Sequence, residues 1–321
     1  GRYFRLTADI VMNEGVIATD LTTLQGGTAF PETPAIGAFA SEESYTAFQG
    51  VFDGDGHTIS GIYMTSEQGT NYLALFRVLE GAEVRNLGLR DMFSYAGAYL
   101  AGIASRAINS RIINCYVADS HIFGWGSNSG CIVGQALGST RIQNCYATGL
   151  LNGKNDMGGI VGRIGNGDVN EVIVENCYAT VAITLRGREN RGGVTATNSV
   201  GSVVRNCYFT AAVASNAVWP DQDNGTTVGC QLMTDEEMAS EEFLELLNSN
   251  SRQIPAACRW LPVVNGSPVH NYSESTADLE NQRDVAALAT NPVPANGDTH
   301  ADMDAETLSW TAARDGKTVA Q

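Results

Sequence analysis

Positions that hold small or apolar residues alternate with positions that vary in polarity, in a block of sequence that occurs five times along the chain. Each block is centred on an asparagine, and the steps between these asparagines are 28, 30, 32 and 30 residues: Asn86, Asn114, Asn144, Asn176 and Asn206. The positions two before, one after and three after the asparagine are small or apolar, whereas the positions between them vary in polarity. A repeat of this length is typical of solenoid and propeller proteins.

The alternation has a period of two, which predicts short β-strands, and its parity shifts once near the asparagine. A corner of the chain explains this shift, because asparagine tolerates the left-handed backbone that a corner needs. A second block, such as Gly158-Gly159-Ile160-Val161-Gly162, recurs in phase with the first. Each repeat therefore contains at least two strands, and the β-branched residues without a 3.6-residue period exclude helices.

Short strands without hairpin signals, stacked on their own copies, predict an all-β fold: a right-handed parallel β-helix with coils of about 30 residues. A β-propeller is disfavoured, since its blades have about 40–50 residues. Like residues should form ladders about 4.8 Å apart. The predicted structural ladder comprises Asn114, Cys115, Asn144, Cys145, Asn176, Cys177, Asn206 and Cys207. Its cysteines should point inward as small apolar residues, as should Cys131.

The predicted organisation has five parts. Residues 1–70 form an N-terminal cap and first coil, in which 13–47 fold over the end of the solenoid, and residues 71–225 form the repeats. Residues 226–272 form a C-terminal cap, residues 273–290 a linker, and residues 291–321 the truncated start of an immunoglobulin-like domain, so the natural protein is expected to continue. The cap contains one helix of about 13 residues, because Thr234 and Glu237 form a capping box before an apolar face that includes Met238, Phe243 and Leu247.

The amino-acid composition disfavours several classes of binding partner. The chain has 19 Lys and Arg against 35 Asp and Glu, a net charge of −16, which disfavours nucleic acid and anionic membrane surfaces. There is no apolar run long enough for a membrane span. The sequence contains no CxxC pair, so it does not predict a zinc site. A disulfide between Cys230 and Cys258 is one alternative for the two cysteines after the repeats.

Catalytic chemistry has little support in the sequence. Asp53 and Asp55 lie in a Gly/Asp segment that fits a turn and is a weak Ca²⁺ candidate, so no cofactor is predicted. The Asp221–Gly225 segment has the same two interpretations. A lyase or hydrolase would need paired carboxylates, and the loop acids show no recurring pairing: Asp91, Asp119, Asp156, Asp168 and Glu171. His121 is treated as a surface residue.

Three motifs together resemble the GLUG-motif family of secreted bacterial proteins. They are Phe-x-Gly-x-Phe-Asp-Gly-x-Gly-His-Thr-Ile-x-Gly at residues 48–61, Gly-Gly-Ile-Val-Gly, and Asn-Cys-Tyr-Ala-Thr. The family occurs in large surface proteins, including non-catalytic N-terminal regions of IgA-protease-like enzymes. The resemblance covers residues 1–272. It implies a β-helical module that is secreted or on the bacterial cell surface, for adhesion or carbohydrate contact.

The sequence leaves three functions open: a non-catalytic binding module, a β-helix lyase or hydrolase, and a pure spacer. The partner of a binding module would be a glycan or a host surface protein, and the module itself a monomer within a longer chain. Its predicted ligand-binding residues are an outward tyrosine ladder and one tryptophan: Tyr116, Tyr146, Tyr178, Tyr208 and Trp125. The tyrosines could instead stack on one another. Phe123 and Trp219, placed with Trp125 in corner loops, are a second hypothesis.

Overall fold

The computed structural model describes residues 2–13, 35–41, 44–65, 71–166, 169–185, 187, 190–263 and 266–270. It also describes the backbone of three strands nearer the C-terminus. The chain divides into two compact units, Gly1–Tyr272 and Ser273–Gln321. In the second unit the described strands form an antiparallel sheet: Ala289–Val293, Ser309–Ala312 and Thr318–Ala320. That this unit begins an immunoglobulin-like domain stays a prediction.

The first unit is a parallel β-solenoid, as the repeated blocks predicted. Sheet 1 has eight parallel strands, which contain the residues just before each corner: Tyr3–Arg5, Val51–Asp53, Glu83–Arg85, Arg111–Ile113, Arg141–Gln143, Ile173–Glu175, Val203–Arg205 and Thr226–Val228. Its pairing keeps equivalent residues in register, so that Ile112 lies beside Val84 and Ile142. The right-handed sense of the coil stays a prediction.

Sheet 2 contains the residues after the corner. Its ten strands are Ile10–Val11, Thr58–Ser60, Tyr63–Thr65, Gly88–Arg90, Phe93–Ala96, Tyr116–Gly124, Tyr146–Gly153, Tyr178–Leu185, Tyr208–Thr210 and Gln231–Met233. Sheet 3 forms a third side of four of these coils, with the strands Phe76–Glu80, Ala104–Ile108, Val133–Leu137 and Val161–Ile164. A small sheet joins Ser129–Gly130, Met157–Gly158 and Arg191–Gly192. A Cβ at Gly158 would lie 1.9 Å from the Val161 carbonyl oxygen, which explains this glycine column.

The asparagine corner is confirmed. Asn86, Asn114, Asn144, Asn176 and Asn206 all have φ between 51° and 54°, in the left-handed region. Side chains before and after this corner point into one continuous apolar core that runs through the coils. The cysteines that follow the asparagines are fully buried in that core, as predicted: Cys115, Cys145, Cys177 and Cys207.

One more coil follows the repeats, because Thr226–Val228 and Gln231–Met233 extend sheets 1 and 2. The sequence had assigned these residues to the cap. In this coil Gly229, with φ of 65°, takes the position of the corner asparagine. Cys230 then extends the cysteine ladder beside Cys207, and both Cys230 and Cys258 are free thiols. The suggested disulfide between them is therefore wrong.

Residues 235–263 and 266–270 form what we call the strap. It contains helix α1 (Asp235–Met238), helix α2 (Glu241–Ser251) and an antiparallel hairpin of Trp260–Val263 with Gly266–His270. The capping box at Thr234 and Glu237 is confirmed. A single helix of about 13 residues is wrong, because the Ser240 side chain accepts a hydrogen bond from Phe243 N and begins a second helix. The strap lies along the side of the coils.

The N-terminal residues contribute two short strands, Tyr3–Arg5 and Ile10–Val11. Much of the segment expected to fold over the end lies outside the described residues. Its described part forms a hairpin of Ala38–Ser41 with Ser44–Thr46, flanked by bridges from Ile36 to Phe76 and from Phe48 to Leu79. This part therefore lies beside sheet 3, with Phe39 stacked on Tyr72 at 3.9 Å between ring centroids.

Candidate functional site

The tyrosine ladder points away from the coil interior, but the strap covers it. Its rings are between 1% and 9% exposed, and they share an apolar cluster with Met238, Phe243, Leu247 and Trp260. Tyr116, Tyr146 and Tyr178 stack with centroid distances of 4.9 and 5.1 Å. The predicted role of the four tyrosines as an accessible ligand-binding face therefore needs correction: in this structure they form the buried interface between solenoid and strap.

The asparagine ladder anchors the strap by hydrogen bonds. Asn144 Nδ2 donates to Asn114 Oδ1 at 2.9 Å, and Asn176 Nδ2 donates to Asn144 Oδ1 at 2.8 Å. Asn144 Oδ1 also accepts from Trp260 Nε1 at 2.7 Å and from the Ser251 hydroxyl at 2.8 Å. Within the described residues no donor reaches Asn176 Oδ1, so the amide chain stops before Asn206.

Other predicted site residues have structural partners. The Asp53 carboxylate accepts hydrogen bonds from Tyr3, Asp55 N, Arg85 and Asn86. Burial raises the pKa of Asp53, but these hydrogen bonds outweigh it and keep the pKa below its ordinary value. Asp55 pairs with Arg5. The two carboxylates suggested for Ca²⁺ are thus engaged by protein donors, and the described residues contain no cluster of three metal-ligating side chains.

Three of the five loop acids suggested for hydrolase chemistry occupy corners of the chain. Asp91, Asp119 and Asp156 have φ between 49° and 54°, and Asp119 also pairs with Arg90 at 2.8 Å. Asp168 lies outside the described residues. These positions explain the aspartates as turn-formers, since a short polar side chain tolerates left-handed backbone.

An aromatic patch lies on the outward face of sheet 2. Two neighbouring columns of its strands supply the patch, because residues i and i+2 of a strand share a face: Tyr63, Phe93 and His121 in one column, Tyr95, Phe123 and Asn152 in the other. Trp125 follows the strand Tyr116–Gly124 and joins the patch. We call these seven residues the aromatic patch. Phe123 is thus a strand residue and Trp125 follows one, which corrects their placement in corner loops; Trp219 lies elsewhere, before a 3-10 helix.

The rings of the aromatic patch contact one another closely. Tyr95 stacks on Phe123 with a centroid distance of 5.1 Å, and Trp125 meets both rings edge-on at 5.7 and 5.6 Å. His121 Nε2 lies 2.5 Å from Asn152 Oδ1, so this ring nitrogen donates and the amide fixes the tautomer. Phe93, Phe123 and His121 are buried, whereas Trp125 is 37% exposed and Tyr63 and Tyr95 are half-buried.

This arrangement suits a ligand with both apolar and hydrogen-bonding surfaces. Packed rings hold one another in place, so the exposed part of Trp125 and Tyr95 forms a pre-ordered platform. Binding sites commonly combine aromatic walls with a few placed polar groups, here the amide of Asn152. The sequence signal was weak, because residues 63, 95 and 125 come from different coils and do not repeat as a column.

Comparison with solved structures finds a similar fold in a candidate immunoglobulin A1 protease from Bacteroides ovatus. The TM-score is 0.50 and the identity 20%, over 85% of this chain and 86% of that chain. The likeness supports the β-solenoid architecture. No protein-family model and no curated protein matches the chain. No helix in the described part of the chain has the length and apolar character to cross a membrane.

Proposed function

We propose that the chain is an extracellular bacterial β-solenoid module that binds a neutral glycan on the aromatic patch, without catalysis. The observation that carries the proposal is the exposed edge of Trp125, held by Tyr95 and Phe123 in a packed cluster beside Asn152. The hydrophobic faces of sugar rings pack on aromatic side chains, and sugar hydroxyls pair with amides.

The extracellular assignment has two supports. The motifs at residues 48–61 and in the asparagine blocks resemble the GLUG-motif family of secreted bacterial proteins. The similar solved structure is a candidate protease of immunoglobulin A1, which is an extracellular substrate.

The strap is consistent with a binding role for the aromatic patch. It covers the tyrosine ladder and leaves the aromatic patch on another part of sheet 2.

A glycan array with wild type, Trp125→Ala and Trp219→Ala tests the proposal. Trp219 is the matched control, because it is a partly exposed tryptophan outside the aromatic patch. We expect wild type and Trp219→Ala to bind the same neutral glycans, and Trp125→Ala to lose at least about tenfold in affinity, since aromatic contacts dominate such sites. Equal binding by Trp125→Ala would place the site elsewhere, and no binding by wild type would favour a spacer.

A further inference from the structure

A groove runs along the corner between sheets 3 and 1, on a different part of the solenoid from the aromatic patch. Its volume is about 520 Å³, and its wall is built by five successive coils, which contribute Arg2, Gly50, Glu83, Arg111 and Arg141 among other residues. At about 4.8 Å per coil, four steps make the groove roughly 19 Å long. It therefore matches a linear chain better than a small molecule.

The charge of the groove opposes that of the whole chain. The residues that line the groove include three arginines, Arg2, Arg111 and Arg141, but only one acidic residue, Glu83, although the chain carries a net charge of −16. Arg111 is held in place: it lies 3.9 Å from Glu83, donates to Gln143 at 3.3 Å and also donates to the Pro255 carbonyl of the strap. Arg111 is therefore a fixed, pre-oriented cation.

Arg141 has no such compensation. Arg141 lies beside Arg111 in the neighbouring strand on one side and beside Ile173 in the strand on the other side. Two arginines are therefore direct neighbours across the sheet. Like charges at paired positions of neighbouring strands destabilise a sheet. Among the described residues no carboxylate lies within ion-pair distance of Arg141, which is exposed at the groove. A bound anionic group would relieve this repulsion.

We propose that the groove binds an acidic polysaccharide, through carboxylate or sulfate groups seated on Arg111 and Arg141. Guanidinium groups form paired hydrogen bonds with such oxyanions. The exposed Asn109 and Ser139 supply amide and hydroxyl groups for sugar hydroxyls, and the Asn109 side chain is oriented by accepting from Ser139 N at 3.0 Å. The chain's net charge of −16 disfavours the denser charge of nucleic acid.

The test is titration calorimetry at low and at physiological salt with polygalacturonate, dextran sulfate and uncharged dextran. Wild type is compared with Arg141→Gln and with Arg163→Gln, an arginine of sheet 3 that does not line the groove. We expect both acidic polymers to bind wild type more weakly as salt rises, and dextran not to compete with them. Arg141→Gln should lose at least about tenfold in affinity, whereas Arg163→Gln should bind like wild type.

Thermal unfolding shows whether the variants remain folded, and Arg141→Gln should unfold no earlier than wild type because it removes a repulsion. Neutral-glycan binding on the aromatic patch should be the same in Arg141→Gln and wild type, so this proposal and the preceding one can fail separately. Inorganic sulfate and a single-stranded oligonucleotide are further arms. The proposal is overturned if neither acidic polymer binds, if Arg163→Gln loses as much affinity as Arg141→Gln, or if the oligonucleotide or free sulfate binds as tightly.

Discussion

At the residue scale, each corner asparagine combines a backbone role with a side-chain role. Its φ near 50° would cost an ordinary L-residue about 1–2 kcal/mol. In Asn114, Asn144 and Asn176 the amide also bonds to the neighbouring coil and to the strap. Each such hydrogen bond contributes about 0.5–1.5 kcal/mol. These two contributions can be separated by substitution.

Asn144→Ala should lower the free energy of unfolding by about 3 kcal/mol or more, because it removes several hydrogen bonds and places alanine in left-handed backbone. Asn144→Gly keeps the backbone conformation, as Gly229 does in the last coil, and should lose only the hydrogen bonds, about 2 kcal/mol. Urea denaturation measures both. Asn206→Gly is the control, since Asn206 lies outside the amide chain; an equal loss there would contradict the assigned role.

The cysteine ladder predicts graded thiol reactivity. Burial raises the pKa of Cys115 and Cys131 to about 12, so these thiols stay protonated at neutral pH. Cys230, at the last coil, is only half-buried, whereas the other cysteines are buried. In a thiol-reagent time course of native protein, we expect one slow, partly accessible thiol and six that react only on unfolding.

The control for this prediction is Cys230→Ser, which should abolish the reaction of the native protein and leave six thiols to react in denaturant. Reaction of two thiols in the native state, or fewer than seven in the denatured state, would contradict the assignment. The role of Cys115 and its equivalents was predictable, because they repeat in one column. Cys230 was not, because Gly229 replaces the asparagine that marks the block.

At the element scale, the strap hairpin contains a buried histidine. His270 packs against the rings of Trp260 and Tyr146, with centroid distances of 4.0 and 5.1 Å. Burial lowers the pKa of His270 well below its ordinary value, so the folded protein favours the neutral ring. The unfolded chain binds a proton near pH 6.5. Stability from this residue is therefore complete above that pH and decreases as the pH falls below it.

We predict that wild type loses about 1.4 kcal/mol of unfolding free energy per pH unit from this residue as the pH falls below about 6.5. His270→Phe keeps a ring of similar size that cannot be protonated, so its stability should change less between pH 7.5 and pH 5. Urea denaturation at both pH values gives the difference between the two proteins. Parallel pH dependence in wild type and His270→Phe would show that His270 is already charged in the fold.

At the scale of the whole molecule, the repeated columns and the long-range contacts differ in how far they could be predicted. The coil and its corners follow from local periodicity, because each residue type recurs at an equivalent position. The position of the strap does not follow from local periodicity. Its apolar face was visible in the sequence at Met238, Phe243 and Leu247, but the local pattern did not indicate that this face packs on the tyrosine ladder. The contact between Asn144 and Trp260 spans 116 residues. For the aromatic patch, the sequence indicated Trp125 and Phe123 as candidates but not the residues they pack against, because the patch does not repeat as a column.

The strap also changes how the solenoid should unfold. In a solenoid each coil contacts only its neighbours, so unfolding can start at either end and spread. The strap contacts the coils of Asn114, Asn144, Asn176 and Tyr208 at once. Cys258 N donates to Asn114, Trp260 Nε1 to Asn144 and Asn250 Nδ2 to Tyr208, whereas the Ser251 hydroxyl accepts from Asn176 Nδ2. These coils therefore share one set of contacts, and we predict that they unfold together in a single transition.

Trp260→Ala should break this coupling. It removes a fully buried ring and the hydrogen bond to Asn144, which should cost about 3–5 kcal/mol. Urea unfolding followed by circular dichroism and by hydrogen exchange should then give separate transitions for the coils, with a smaller apparent slope than in wild type. Trp125→Ala, outside the strap, is the control and should keep one transition. If Trp260→Ala also keeps one transition with an unchanged slope, the coils are coupled through their own stacking, and the strap only covers the tyrosines.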